Sequence, residues 1–374
     1  MFDTRGQIMK KLACILLLLV SLALSAHAGD TLIPGGNAVG LQLTSEGVSV
    51  VDFAEETPKK AGLEKGDRIV RVNGGTVTDV AALRQIVAQA QGAVLELTIE
   101  RNGKEKTVSF APSLKDDEWY LGIYVRDHIS GVGTVTYFDP EDGTFAALGH
   151  GVCDGGGLLC LRSGTVLPAQ IASVTRGKKG QPGALQGAVL SSEPCGSIAE
   201  NTACGIFGSM AAQGGNAVAV ASAQEVHTGF AVIRCTVSGT QVRQYAVSVM
   251  AVDTDDPEGR NLVLKVTDPA LLEATGGIVQ GMSGSPILQD GKLIGAVTHV
   301  LVSDPTRGYG ILIETMRNRG SSVAAPSQTA KKVRNRQSEL RYCSNASASA
   351  RPSLRRSVKS IAHGLVKTSR RCPL

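Results

Sequence analysis

Along most of this 374-residue chain, apolar positions fall in short runs or alternate with polar ones, the period of strands rather than of helices. Leu262–Val266, Pro286–Leu288, Lys292–Ile294 and Ala296–Thr298 are such runs, and Asp290-Gly291 between them has hairpin-turn chemistry. Thr144–Leu148 and Gly295–Val300 read the same way. Upstream, Gly62–Gly74 predicts a turn, a strand and a hairpin tip. Asp79 then predicts an N-cap, and Val80–Ala90 a helix with Leu83, Ile86 and Val87 on one face. Val94–Ile99 and Lys106–Phe110 alternate on either side of Asn102-Gly103, a second hairpin signal. Polar residues 113–120, ending at the chain's one tryptophan and Tyr120, predict a linker. From Leu121 to about Glu314 the strands suffice for two antiparallel barrels. The fold class is mainly β, and the length allows two domains with their own cores.

The two ends change this picture. Arg5, Lys10 and Lys11 precede an apolar stretch from Leu12 to Leu24, and Ala26-His27-Ala28 follows. Residues 1–28 therefore predict an export signal or, if uncut, a membrane anchor, though the run is short of the ~20 residues a span needs. The net charge of +5 is misleading, because 14 Lys and Arg against one acid give +13 from Met316 onward, leaving −8 for the rest. The body is mildly acidic and nothing in it suggests nucleic-acid binding. Residues 316–374, rich in Ser, Ala and Arg, predict a disordered tail to which no function is assigned. Of eight cysteines, Cys153 with Cys160 and Cys195 with Cys204 are possible pairs; no Cys-x-x-Cys occurs, and neither a metal site nor a cofactor is implied.

The candidate chemistry lies in Gly281-Met282-Ser283-Gly284-Ser285-Pro286. A serine between glycines on a tight turn suits a hydroxyl nucleophile, because small neighbours admit a carbonyl and glycine lets the backbone aim N–H groups at a developing oxyanion. Such a turn alone is more often a hairpin linker; the strands around it favour a site. Ser285 breaks Gly-x-Ser-x-Gly, which argues against an α/β-hydrolase elbow. His150, between Gly149 and Gly151 at the end of a strand, is the candidate base, and the order His before Ser is the chymotrypsin order. His128 and His227 read as surface residues, while His299 could line a pocket or simply pack. For an acid, Asp268 is a helix N-cap ahead of Pro269 or a catalytic member, and spacing does not choose. Asp154 and the cluster Asp253, Asp255 and Asp256 are weaker candidates.

Two resemblances carry the reading further. Residues 37–112, through Gly62-Leu63-Glu64-Lys65-Gly66-Asp67 and Ile69, resemble a PDZ domain of bacterial secreted proteases. That resemblance implies that Val39, Gly40 and Leu41 bind a peptide by strand addition. Residues 31–314 resemble the SpoIVB family of sporulation serine peptidases, in "FAALGHGV", "GKKGQPGALQG", "SIAENTACGIFG" and the segment Lys265–Glu314. The resemblance implies a chymotrypsin-like double barrel over residues 121–315, with Ser283 as nucleophile, His150 as base and Asp268 as acid. The amides of Gly281 and Ser283 would form the oxyanion hole. It also implies export to the space between the forespore membranes and self-cleavage near Gly29–Gly36. A membrane-bound complex that regulates an intramembrane protease would be cut, releasing a sigma factor, and the PDZ groove would take the enzyme's own N-terminal segment or the target. The alternatives are a PDZ scaffold with an inactive barrel, or a general envelope stress protease.

Overall fold

Strand alternation and turn chemistry build what the pattern predicts, in a computed structural model that describes residues 30–154, 157–256, 258–318 and 372–373. Residues 1–29 and nearly all of the basic tail, with the expectations placed on them, lie outside the described residues. Strand β1 (Thr31–Pro34) is followed by the 16-residue β2 (Ala38–Phe53). The second half of β2 pairs with β3 (Arg68–Val72), Val48 standing opposite Ile69. Asp79, at φ −161°, accepts a hydrogen bond from Ala82 N and starts α1 (Val80–Ala90), which buries Leu83 and Val87. β4 (Leu95–Arg101) and β5 (Lys104–Phe110) pair through Asn102 and Gly103, both at positive φ, the backbone a two-residue hairpin requires. Val48, Ile69, Leu83, Val87, Leu97 and Ile99 are fully buried here. Each contributes about 1.5–3 kcal/mol relative to an exposed side chain.

Residues 113–120 are not a free linker. Ser113–Lys115 pairs with Glu118–Tyr120, and Trp119 packs against the same core. Beyond this hairpin, Leu121, Ile123 and Val125 also pack into the core of the PDZ-like unit. The last two belong to β6 (Ile123–Phe138), which runs beside β2 along both halves. Two long strands are thus shared between the units.

The first barrel is a ring of six. β6 pairs with β7 (Thr144–Ala147), and β8 (Leu161–Thr175) pairs with both Val39–Ser45 of β2 and β9 (Gly196–Thr202). β9 pairs with β10 (Gly205–Met210) and β10 with β7, while the β2–β6 pairing closes the ring. The second barrel is closed in the order β11 (Gly229–Thr236), β12 (Val242–Val252), β13 (Leu262–Val266), β16 (Arg307–Leu312), β15 (Lys292–Val300), β14 (Pro286–Gln289). Its core includes Ile233, Val247, Leu264, Leu271, Ile287 and Val297. The helix α2 (Pro269–Thr275) lies between β13 and β14, and α3 (Ile313–Arg317) follows β16. Met316 is fully buried, so the chain is still folded at the residue from which a tail was expected. Cys160, Cys195, Cys204 and Cys235 are free thiols, so neither expected pair forms; Cys195 sits against Val166 and Met210 while Cys204 packs in a different cluster.

Candidate active site

The segment that presents Ser283 is anchored at every second or third residue. α2 ends at Gly276, in the left-handed region, and Ile278 N donates to Pro305 O while Gln280 N donates to Gly183 O. Met282 N donates to Val279 O and Gly284 N to Val297 O. Thr134 of β6 reaches across from the first barrel, its Oγ1 donating to Gly281 O at 2.8 Å and its N to Ser283 O at 3.1 Å. Gly284, at φ +93°, brings its Cα so close to that strand that a Cβ would stand 2.1 Å from Thr134 O. Only glycine fits there. Among the described residues the amides of Gly281 and Ser283 donate to no acceptor, and both residues line the cleft between the barrels. Ser285 is fully buried with its Oγ donating to Met282 O, so it holds the turn and faces no substrate.

Ser283 Oγ donates to Thr298 O at 2.7 Å. His150 lines the same cleft, its Nδ1 3.0 Å from Gly151 O. A carbonyl only accepts, so Nδ1 carries the hydrogen in the neutral ring and Nε2 is left with the lone pair. Burial pushes the His150 imidazole below its ordinary value, only partly opposed by that carbonyl. His299 lies against His150 with ring centroids 4.8 Å apart, and it is pushed down to about 3 by burial and then by the positive charges of His150 and Arg260. His299 is therefore neutral in any working range. His128 and His227 pair with Asp127 and Asp290 near the surface.

Among the described residues no hydrogen bond joins Asp268 to His150. Its Oδ1 accepts from Ala270 N and Leu271 N, and its Oδ2 from Ala246 N, so the carboxylate caps α2 and ties it to β12. Among the described residues the one hydrogen-bond partner of His150 is Gly151 O, and Asp154 pairs instead with Arg126. In this structure the carboxylate of Asp268, the acid that resemblance implies, caps α2 and makes no hydrogen bond to His150 among the described residues, while the carbonyl of Gly151 fixes the His150 tautomer. The loop carrying that carbonyl is held by Asn201, whose Oδ1 accepts from Val152 N and whose Nδ2 donates to Val152 O and Leu159 O. Asn201 escaped the sequence reading; its one signal was an amide in an otherwise alternating strand.

The peptide groove expected at Val39, Gly40 and Leu41 is also corrected. These residues stand opposite Gly133, Val132 and Gly131 of β6 on one side and Pro168, Leu167 and Val166 of β8 on the other. Both edges are taken by the chain's own strands, so no incoming strand can add there. The stretch where self-cleavage was expected is likewise engaged. Thr31 and Leu32 pair with residues 218–219, Ile33 and Pro34 with β6, and Gly35 N and Gly36 N are hydrogen-bonded. A scissile bond must lie extended in the cleft, and the bonds of residues 31–36 do not while β1 is seated.

A family model described as SpoIVB peptidase S55 matches residues 117–317, and a PDZ domain model matches residues 37–111. Among curated proteins, the putative zinc metalloprotease mll0638 of Mesorhizobium japonicum is 33% identical over 79 residues, 21% of this chain and 22% of that one. The zinc metalloprotease RasP of Geobacillus kaustophilus is 28% identical over 85 residues, 22% of this chain and 20% of its own. The chain thus spans about a fifth of the length of these relatives. Among solved structures, the active form of the Rv3671c protease of M. tuberculosis has a TM-score of 0.32 at 12% identity, covering 54% of this chain and 78% of that one. The PDZ domain of an SdrC-like protein from Listeria monocytogenes has a TM-score of 0.21 at 17% identity, covering 22% and 90%.

Proposed function

The chain belongs to the SpoIVB peptidase S55 family and is a serine peptidase carrying a PDZ domain, and on that premise we propose that Ser283 and His150 form its catalytic pair. The observation that carries this is the convergence, in one cleft, of the Ser283 hydroxyl, the His150 ring and the unused amides of Gly281 and Ser283. The hydroxyl leaves Thr298 O by a rotation about χ1, and Nε2 of His150 takes its proton as Oγ bonds to the peptide carbonyl carbon. The carbonyl π electrons move to oxygen, which the two amides receive; losing one such donor typically costs ~10²–10³ in turnover. The tetrahedral species then expels the amine, which leaves with the proton held on His150, and water repeats the cycle on the acyl-enzyme.

The base must be neutral to act. Because burial lowers its ionisation, the acid limb of the kcat/KM profile is expected below pH 6.5, the ordinary value, and turnover persists where an unshifted histidine would already be half protonated. A limb at or above pH 7 would contradict this, because a raised value requires an anion beside the ring.

The protein is further proposed to be exported between the forespore membranes, to cleave itself, and to cut a membrane-bound regulatory complex that releases a sigma factor. The basic and apolar pattern of residues 1–28 and the family support this reading. The proposed self-cleavage falls before Thr31, a reading supported by the hold of β1 on the residues that follow. Incubation of the full chain is expected to give a truncated product beginning at or before Thr31, absent from Ser283→Ala. A product beginning beyond Gly36, or one that persists without Ser283, refutes the assignment.

A further inference from the structure

The cleft that holds Ser283 and His150 has a volume of about 1070 Å³ and is lined mainly by aliphatic side chains, among them Leu41, Ile129, Leu148, Ile278 and Val300. Among the described residues one permanently charged side chain lines it, Arg260, at the end of the loop between β12 and β13. That guanidinium lies over the Tyr309 ring, Cζ 5.5 Å from the centroid, which fixes its plane. Its Nη1 stands 3.2 Å from a carboxylate oxygen of Glu258, which is more than half exposed, so this pair is weak in water. Nε and Nη2 have no hydrogen-bond partner among the described residues. A planar fork with open donors at the wall of an apolar cleft matches a carboxylate, which accepts two parallel N–H bonds.

We propose that Arg260 is a specificity-determining residue that reads an acidic side chain in an otherwise aliphatic peptide substrate. The proposal deepens the peptidase reading by naming a class of substrate for the same cleft. Desolvation in the cleft strengthens such a pair, while an uncharged isostere leaves the guanidinium without its anion. Repulsion of a basic residue at the same position follows from the same charge.

The test reads binding on Ser283→Ala protein, so that it does not depend on turnover. The probes are C-terminally amidated octapeptides of Ala, Val and Leu in which one position at a time carries Glu, Gln or Lys. At one position the Glu peptide is expected to bind about tenfold more tightly than the Gln peptide, the scale of a hydrogen-bonded charge pair. The ratio falls to about one with Arg260→Met added, and Arg260→Glu moves the preference to Lys. Equal binding of Glu and Gln at every position, or discrimination that survives Arg260→Met, overturns the proposal. Amidation removes the terminal carboxylate as a source of the effect. Cleavage of the same peptides by the Ser283 enzyme is scored separately: binding with discrimination but no cleavage refutes the catalytic pair and leaves the role of Arg260 standing.

Discussion

Replacing Ser283 with alanine is expected to lower kcat about 10⁶-fold with little change in melting temperature, whereas Ser285→Ala is expected to do the reverse. The two hydroxyls sit two residues apart on one turn and differ in what surrounds them. Ser283 Oγ is at the cleft and donates to Thr298 O, a bond that water can replace. Ser285 Oγ is fully buried and donates to Met282 O, closing the turn that presents the nucleophile. Removing it leaves a buried carbonyl with one bond fewer, worth about 1–3 kcal/mol of stability. Hydrolysis of a peptide substrate and thermal unfolding of both variants decide it. If Ser285→Ala abolishes turnover while Ser283→Ala cleaves normally, the nucleophile is the other serine and the oxyanion geometry must be redrawn around it.

Local chemistry was legible where one element decided its own fate. Asp79 caps α1 over the residues its pattern marked, and β13 runs from Leu262 to Val266 as the apolar run does. The Asp290-Gly291 turn has both residues at positive φ, joining β14 to β15 as its chemistry requires. What sequence could not show was pairing. Val39-Gly40-Leu41 carries a binding-loop pattern, but whether its edges stay open depends on β6 and β8, which start 83 and 121 residues after Gly40. β1 was not anticipated at all, because four residues ending in proline carry almost no period. The Asn201 clamp is a contact across 49 residues, invisible to any local reading. His299 was ambiguous for the same reason: only the second barrel's closure places its ring against His150.

The same limit decides Asp268, and the expected outcome of Asp268→Asn follows from which role it holds. An acid that orients the catalytic histidine loses about 10⁴ in kcat on conversion to the amide, because the wrong tautomer is then favoured. A helix N-cap barely notices, since asparagine caps as well as aspartate. Here Oδ1 accepts from Ala270 N and Leu271 N, bonds an asparagine oxygen can keep, and only the Ala246 N contact at 3.2 Å is lost. Asp268→Asn is therefore expected to retain kcat within about tenfold and to leave the acid limb of the pH profile unmoved. Asp268→Ala removes the cap and costs about 1 kcal/mol or more of stability, and Asp268→Ser restores much of it. Its turnover falls too, because α2 leads through Gly276 into the strand-like run that ends at the Gly281 and Ser283 amides. Kinetics across pH with calorimetry on the three variants separates the roles. A 10⁴-fold loss in Asp268→Asn at unchanged melting temperature would mean that the working enzyme brings this carboxylate to His150, against the three amides that now hold it.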